Sequence, residues 1–157
     1  MARFIFDTGV IVGYVRDAGY AQYLDKKHQV LELPNLSLIS VVSKGEIYSL
    51  AIQFGWGEAK RKKLQEILAK LPAVDIRRTL IIERYSEIDT YSQARNPAKP
   101  LPPGATAVKM GKNDIWIAAT ASVLNAKLVT IDKDFEHLNG IFLDVLYIEQ
   151  NWTAADA

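Results

Sequence analysis

The sequence contains no cysteine and only two histidines, His28 and His137, in 157 residues. The absence of cysteine excludes a disulfide framework, a thiolate zinc or iron–sulfur site, and a cysteine nucleophile. Two histidines this far apart in the chain also exclude a histidine-rich metal site and the HExxH motif of zinc proteases. We expect both histidines at the surface.

Long hydrophobic runs are missing as well. The first apolar run ends at Asp7 after three residues, whereas a secretory h-region needs about 7–15 apolar residues. No stretch approaches the ~18 apolar residues of a membrane span. The net charge of +1, from 19 basic and 18 acidic residues, gives no global field that would indicate a partner. We therefore expect a cytoplasmic protein without membrane association.

The composition is that of an ordinary globular chain, with 49% hydrophobic and 24% charged residues. At ~150 residues per domain, it predicts a single domain over residues 1–150 and a C-terminal tail over residues 151–157. Short apolar segments alternate with helical patterns. Strands are predicted at 3–6, 36–39, 74–76, 127–131 and 145–148, and helices at 8–15, 19–29, 41–54, 58–71, 79–95, 113–124 and 132–138. This alternation predicts an α/β sandwich whose central, mainly parallel sheet of four to five strands is flanked by helices.

Two segments outside the strands have unusual compositions. The irregular segment 96–110 holds four of the six prolines within residues 97–103, and a loop this long in a small domain often has a function. Residues 60–63 read Lys-Arg-Lys-Lys, and we expect them on the exposed face of their helix.

Four acidic residues occupy positions that the predicted topology brings together. Asp7 and Asp132 follow strands, whereas Glu46 and Asp114 lie near helix starts. In a parallel sheet, the carboxyl ends of strands and the amino ends of the returning helices share one edge. Two carboxylates ~5 Å apart at an effective dielectric of about 20 repel by roughly 3 kcal/mol, so a cation would stabilise the cluster. All-oxygen ligands suit Mg²⁺ or Mn²⁺.

Each acid also has an ordinary structural interpretation. Asp7, Asp114 and Asp132 stand where aspartate caps a helix or complements its dipole, and Glu46 falls on a polar stripe of its helix. Capping does not explain why Asp114 is the only charge in an otherwise apolar helix. From spacing alone, both interpretations stay open.

The segments around these acids resemble the four motifs of PIN-domain ribonucleases. They read FIFDTGVI (4–11), SVVSKGEI (40–47), NDIWIAATA (113–121) and LVTIDKDF (128–135). Their order and spacing agree with the family, and the resemblance spans about residues 3 to 148. Among PIN proteins, a single-domain chain of this size is most similar to the VapC-type toxins of bacterial toxin–antitoxin pairs.

The resemblance implies a PIN-like three-layer sandwich and a Mg²⁺-dependent endoribonuclease, with Mn²⁺ as a possible substitute. It also implies a cognate antitoxin that blocks the site, and a homodimer. Carried over by position, the catalytic residues are Asp7, Glu46, Asp114 and Asp132, of which Asp7, Asp114 and Asp132 would hold the metal. Supporting residues are Thr8, Thr130 and Asp134, and Lys109 and Lys112 would contact RNA phosphates.

The sequence departs from the family pattern at Gly9, where many members have asparagine. The closing motif varies in the family, and we expect Asp132 rather than Asp134 to face the metal. Gly9 also argues against a phosphatase that requires a second aspartate two residues after the first. The alternative from another class is a non-catalytic PIN-like module that binds RNA or acts as a scaffold.

Overall fold

The structure is a computed structural model that describes residues 1–154, so the last three residues of the predicted tail lie outside it. Its strands are β1 (Arg3–Phe6), β2 (Leu36–Ser40), β3 (Ala73–Val74), β4 (Lys127–Thr130) and β5 (Val145–Tyr147). Its α-helices are α1 (Thr8–Val15), α2 (Gly19–Tyr23), α3 (Val41–Gln53), α4 (Glu58–Leu68), α5 (Thr79–Ser92) and α6 (Lys112–Val123). A π-helical turn, Leu24–His28, continues α2, and a 3₁₀-helix, Lys133–Leu138, lies between β4 and β5.

The five strands form one sheet in the order β3-β2-β1-β4-β5, and all neighbours run parallel. The central strand is β1, in which Ile5 stands opposite Leu38 of β2 and Leu128 of β4. All five carboxyl ends therefore point to the same edge, where α1 and α3 also begin. The predicted α/β class with a parallel sheet is confirmed.

Each face of the sheet is covered by a separate hydrophobic core. Phe4 and Phe6 pack on one face against residues of α1, α3 and α4, whereas Ile5 packs on the other against residues of α5 and α6. Successive residues of a strand point to opposite faces. With both faces covered, the strands are mostly apolar and show no regular alternation of apolar and polar residues. The arrangement has three layers, as predicted.

The helix α4 shows the predicted division between its two faces. Leu64 and Ile67 are buried in the core, and residues 60–63 are exposed. Within residues 1–154, no helix is both long enough and apolar enough to cross a membrane.

Several element boundaries differ from the predictions. The helix α5 ends at Ser92 rather than at residue 95, because Ala94 adopts a left-handed conformation with φ of 59°. The segment 19–29 divides into α2 and the π-helical turn and ends where Gln29 takes a φ of 51°. The strand β3 covers two residues instead of three and starts one residue earlier.

Candidate active site

Asp7 lies directly after the central strand and is held from three sides. Its backbone N–H donates to the carbonyl of Val129 in β4 (2.9 Å), which fixes the chain at the sheet edge. Its Oδ1 accepts from the N–H of Thr8 (2.8 Å), and its Oδ2 accepts from the Thr130 hydroxyl (2.7 Å). The residue is only 6% exposed. Because each carboxylate oxygen can accept two hydrogen bonds, both retain capacity for a ligand.

Thr130 connects Asp7 to the acidic residue that follows β4. Its hydroxyl donates to Asp7 and accepts from the backbone N–H of Asp132 (3.0 Å), and Thr130 is completely buried. The Oδ1 of Asp132 accepts from the N–H of Asp134 (2.9 Å) and so caps the 3₁₀-helix. One buried hydroxyl therefore links the ends of β1 and β4.

Glu46 reaches the same edge from the second turn of α3. Its Oε1 accepts a hydrogen bond from the Thr8 hydroxyl (2.9 Å), and its side chain is partly buried. Ser40 starts this helix by accepting from the N–H of Val42 (3.1 Å). Glu46 is thus bound to the segment that carries Asp7, rather than lying on a solvated polar face.

Asp114 is the third residue of α6, a helix whose N-cap, Gly111, has no side chain to satisfy its amides. The pKa of Asp114 is raised to about 7. Burial is the largest cause, and the negative charges of nearby acids add to it in decreasing size: Asp7, Asp132, Glu46 and Asp134. The helix dipole favours a negative charge at this end, whereas burial and the neighbouring acids oppose it.

Burial also dominates the ionisation of Asp7. It raises the pKa of Asp7 to about 6, although the hydrogen bonds from Thr130 and Thr8 lower it, and the charges of Asp132 and Glu46 add to the increase. Perturbed carboxyl groups in a cleft are typical of functional sites.

The acids of all four sequence motifs line a single pocket of about 470 Å³. Its acidic residues are Asp7, Glu46, Asp114 and Asp132. Residues separated by up to 125 positions thus share one cavity at the carboxyl edge of the sheet. We call it the acidic pocket.

Two polar residues of this pocket were missed by the sequence analysis. Lys133 follows Asp132 at the end of β4, and its ammonium lies 5.8 Å from the centre of the Tyr147 ring. Gln150 follows β5, and it could have been found by extending the strand-end argument to the last strand.

The donor set of the acidic pocket fits a hard divalent cation. It offers carboxylate oxygens, and the pKa values of Asp7 and Asp114 are raised mainly by burial and further by the other acids around the pocket. Within residues 1–154, no three acidic or histidine side chains are arranged as a ready metal-holding group. Mg²⁺ usually keeps several waters and binds one or two carboxylates directly. An open pocket with room for water therefore suits Mg²⁺ better than a closed cage of protein ligands.

The capping interpretation is correct for two of the acids and does not exclude the metal site. Asp132 caps its 3₁₀-helix, and Asp7 is the N-cap of α1, bonded to the N–H of Thr8. Asp114 makes no cap bond, since the N-cap of α6 is Gly111. The same strand-end positions that suit a cap also point these side chains into the pocket.

Gly9, the departure from the family pattern, has a packing reason. A Cβ built on Gly9 would lie 3.1 Å and 3.2 Å from two side-chain carbons of Ile131. Ile131 also lines the acidic pocket, so an apolar side chain occupies space beside the position where family members carry asparagine.

Four residues predicted for the site lie outside the wall of the acidic pocket. Thr130 is completely buried behind the wall, where it holds Asp7. Asp134 supplies its backbone N–H to Asp132, as described above. Lys109 and Lys112 line a neighbouring pocket instead. The two histidines expected at the surface are both only partly exposed, and His137 is bonded to Ser92 (2.7 Å).

The fold and this pocket define an α/β protein whose acidic site lies at the carboxyl edge of a parallel sheet. The profile of the PIN domain matches residues 4–141. The chain therefore belongs to the PIN domain family, and the resemblance drawn from the four motifs is confirmed. The comparison with curated proteins found no match.

Solved structures with a similar fold come from toxin–antitoxin complexes. The structure of VapBC2 from Rickettsia felis bound to a DNA fragment from their promoter gives a TM-score of 0.72 at 20% identity and covers 92% of this chain and 98% of that chain. VapBC-1 from nontypeable Haemophilus influenzae gives 0.66 at 19% identity, covering 92% and 97%. FitAcB from Neisseria gonorrhoeae gives 0.65 at 17% identity, covering 90% and 95%. At these identities the similarity shows a shared fold.

Proposed function

We propose that this protein is a divalent-metal-dependent endoribonuclease of the VapC type, the toxin of a toxin–antitoxin pair. The observation that carries the proposal is the acidic pocket, where the acids of four PIN motifs meet at one edge of the sheet. Two of them, Asp7 and Asp114, have pKa values that are raised first by burial and then by the neighbouring negative charges. The similarity in fold to VapBC complexes supports the toxin class.

In this proposal, Asp7, Asp114 and Asp132 hold Mg²⁺, or Mn²⁺ in its place. When bound, the ion neutralises charge on the scissile phosphate and lowers the pKa of water so that it can attack at neutral pH. Asp7 is suited to this role because its orientation is fixed by Thr8 and Thr130. Hydrogen bonds that orient ligand carboxylates typically matter 10- to 100-fold for metal affinity or activity.

Glu46 is the group that orients or deprotonates the attacking water. Its Oε1 is held by Thr8, which leaves Oε2 free to accept a proton. Water adds to phosphorus, the bond to the 3′ oxygen breaks, and that oxygen takes up a proton. The products are a 5′-phosphate and a 3′-hydroxyl.

The proposal includes two protein partners and a location. A cognate antitoxin would block the acidic pocket, and a second copy of the chain would complete a homodimer. The solved neighbours from Rickettsia felis and Haemophilus influenzae are complexes named VapBC, which supports the antitoxin. A toxin that cuts cellular RNA acts in the cytoplasm.

The test is cleavage of a pool of cellular RNA by the purified protein in Mg²⁺ and in EDTA. We expect cleavage only with the metal, and loss of cleavage in Asp7→Asn and Asp114→Asn with folding preserved. The matched control is Asp144→Asn, an exposed aspartate outside the acidic pocket, which should cut at the wild-type rate.

Two outcomes would contradict the proposal. Wild-type rates in Asp7→Asn or Asp114→Asn would show that the residue does not serve the reaction. A protein that retards RNA in a gel equally with and without Mg²⁺, and cuts nothing, would instead be the non-catalytic RNA-binding module.

A further inference from the structure

A second pocket of about 560 Å³ adjoins the start of α6, between the end of α5 and the end of the proline-rich segment. Its polar and aromatic lining includes Tyr85, Asp89, Gln93, Arg95, Lys109 and Lys112. We call it the basic pocket. Its volume falls in the range of about 300–1,000 Å³ that is common for ligand sites.

The lining of the basic pocket carries a net positive charge, from three basic residues and one acid. Arg95, Lys109 and Lys112 take part in no salt bridge within residues 1–154. The acid in the lining, Asp89, accepts a hydrogen bond from the Gln93 amide (2.8 Å). Three cations facing one carboxylate favour a polyanion, and phosphate groups held by Lys and Arg supply much of the affinity of nucleic-acid binding.

The pocket also contains an aromatic surface. The ring of Tyr85 lies 4.2 Å from that of Trp116, centre to centre, and both side chains are partly exposed. Proteins that bind single-stranded RNA stack bases on such rings and read base edges with amide and carboxylate groups. The paired Gln93 and Asp89 side chains offer both donors and acceptors.

The wall of the basic pocket is anchored to the core. The N–H of Val108 donates to the carbonyl of Ser92 (2.8 Å), and the Ser92 hydroxyl contacts the Met110 sulfur (3.4 Å) and the His137 ring (2.7 Å). Ser92 is 1% exposed. The proline-rich segment is therefore docked at its end, and a preformed site loses less free energy in ordering itself when it binds.

The first turn of α6 separates the two pockets. Lys112 and Ile115 border the basic pocket, and Asp114 between them borders the acidic pocket. An RNA strand whose scissile phosphate lies at Asp114 can therefore place a neighbouring nucleotide in the basic pocket.

We propose that the basic pocket binds a nucleotide of single-stranded RNA adjacent to the cleaved phosphate and contributes to the choice of the sequence that is cut. This role rests on the proposed ribonuclease function. It gives the segment 96–110, which forms one wall, a part in substrate selection.

The first experiment measures binding without cleavage. A fluorescein-labelled single-stranded RNA is titrated in EDTA with a triple variant, Arg95→Ala, Lys109→Ala and Lys112→Ala, and followed by fluorescence anisotropy. The control triple, Lys60→Ala, Lys62→Ala and Lys70→Ala, removes the same charge from exposed positions on and just after α4. We expect about a tenfold or greater rise in Kd for the pocket triple and a much smaller rise for the control. Equal rises in the two triples would overturn the proposal.

The second experiment measures sequence preference. Tyr85→Leu and Gln93→Leu are assayed in Mg²⁺ on a randomised RNA pool, and the cut ends are sequenced. We expect an altered base preference beside the cut, and for Tyr85→Leu a loss of affinity of roughly fivefold to 100-fold. A preference identical to the wild type in both variants would refute a role in selection.

The two failures can be distinguished. If the wild-type protein cuts no RNA in Mg²⁺, the ribonuclease proposal fails, while the anisotropy comparison still decides whether the basic pocket binds RNA. If the wild type cuts and the pocket variants bind and cut as the control does, only the basic-pocket proposal fails.

Discussion

Replacing Asp7 with asparagine should stabilise the metal-free protein while abolishing its activity. The buried carboxylate has a pKa of about 6 in place of 3.8. Each pKa unit corresponds to ~1.36 kcal/mol. Ionised Asp7 therefore costs the folded state about 3 kcal/mol above pH 7.

Asparagine can keep part of the local hydrogen bonding. Its amide oxygen can accept from the N–H of Thr8, and its amide nitrogen can donate to the Thr130 oxygen, which also accepts from Asp132. A hydroxyl has two lone pairs for this purpose. The proton of the buried Thr130 hydroxyl then loses its acceptor, which costs about 1–3 kcal/mol. The net stability gain should therefore be about 1 kcal/mol and at most about 2 kcal/mol.

The assay is thermal unfolding at pH 8 in EDTA. In a chain of this size, 1 kcal/mol shifts Tm by roughly 2–4 °C, so Asp7→Asn should melt about 2–8 °C above the wild type. Added Mg²⁺ should raise the Tm of the wild type and leave the variant nearly unchanged. The exposed control Asp144→Asn should shift little. A Tm for Asp7→Asn equal to or below that of the wild type in EDTA would refute the argument that a buried, repelled carboxylate destabilises the site.

Two further predictions follow from the same structure. Because the folded-state pKa values of Asp7 (about 6) and Asp114 (about 7) lie above 3.8, the folded chain holds protons that the unfolded chain releases. Stability to urea in EDTA should therefore fall as the pH rises from about 4 to about 7, and a rise over this range would contradict the shifts. Gly13→Ala would place a Cβ 1.7 Å from the Tyr20 hydroxyl, which donates to the Gly9 carbonyl, and should cost about 1–3 kcal/mol in chemical denaturation. Gly45→Ala, with no atom within 4 Å of its Cβ, is the matched control and should be neutral or stabilising by up to about 1 kcal/mol; equal losses in the two variants would contradict the packing argument.

The layers of the fold could be predicted because they depend on local patterns. Apolar strands such as residues 3–6 are covered on both faces, and the alternation of strand and helix leaves few topologies. The positions of Asp7 and Asp132 followed from that topology, since they come one and two residues after parallel strands. The order and spacing of the strands and helices in the sequence were enough to predict the layers and these two positions.

The boundaries and the finer shape of the site depend on tertiary contacts that no local pattern encodes. The end of α5 is set by Ala94, an ordinary helix former that adopts a positive φ here. The half-buried position of His137 depends on Ser92, 45 residues away. Lys109 and Lys112 belong to the basic pocket rather than the acidic one, because the first turn of α6 separates the two.

The most direct measurement of the central claim is a crystal structure of the protein soaked in Mn²⁺, with data collected to show the anomalous signal of the metal. The account predicts a peak in the acidic pocket within coordination distance of an oxygen of Asp7 or Asp114, absent from crystals of Asp114→Asn. Full-occupancy Mn²⁺ elsewhere, with none among these carboxylates, would contradict it.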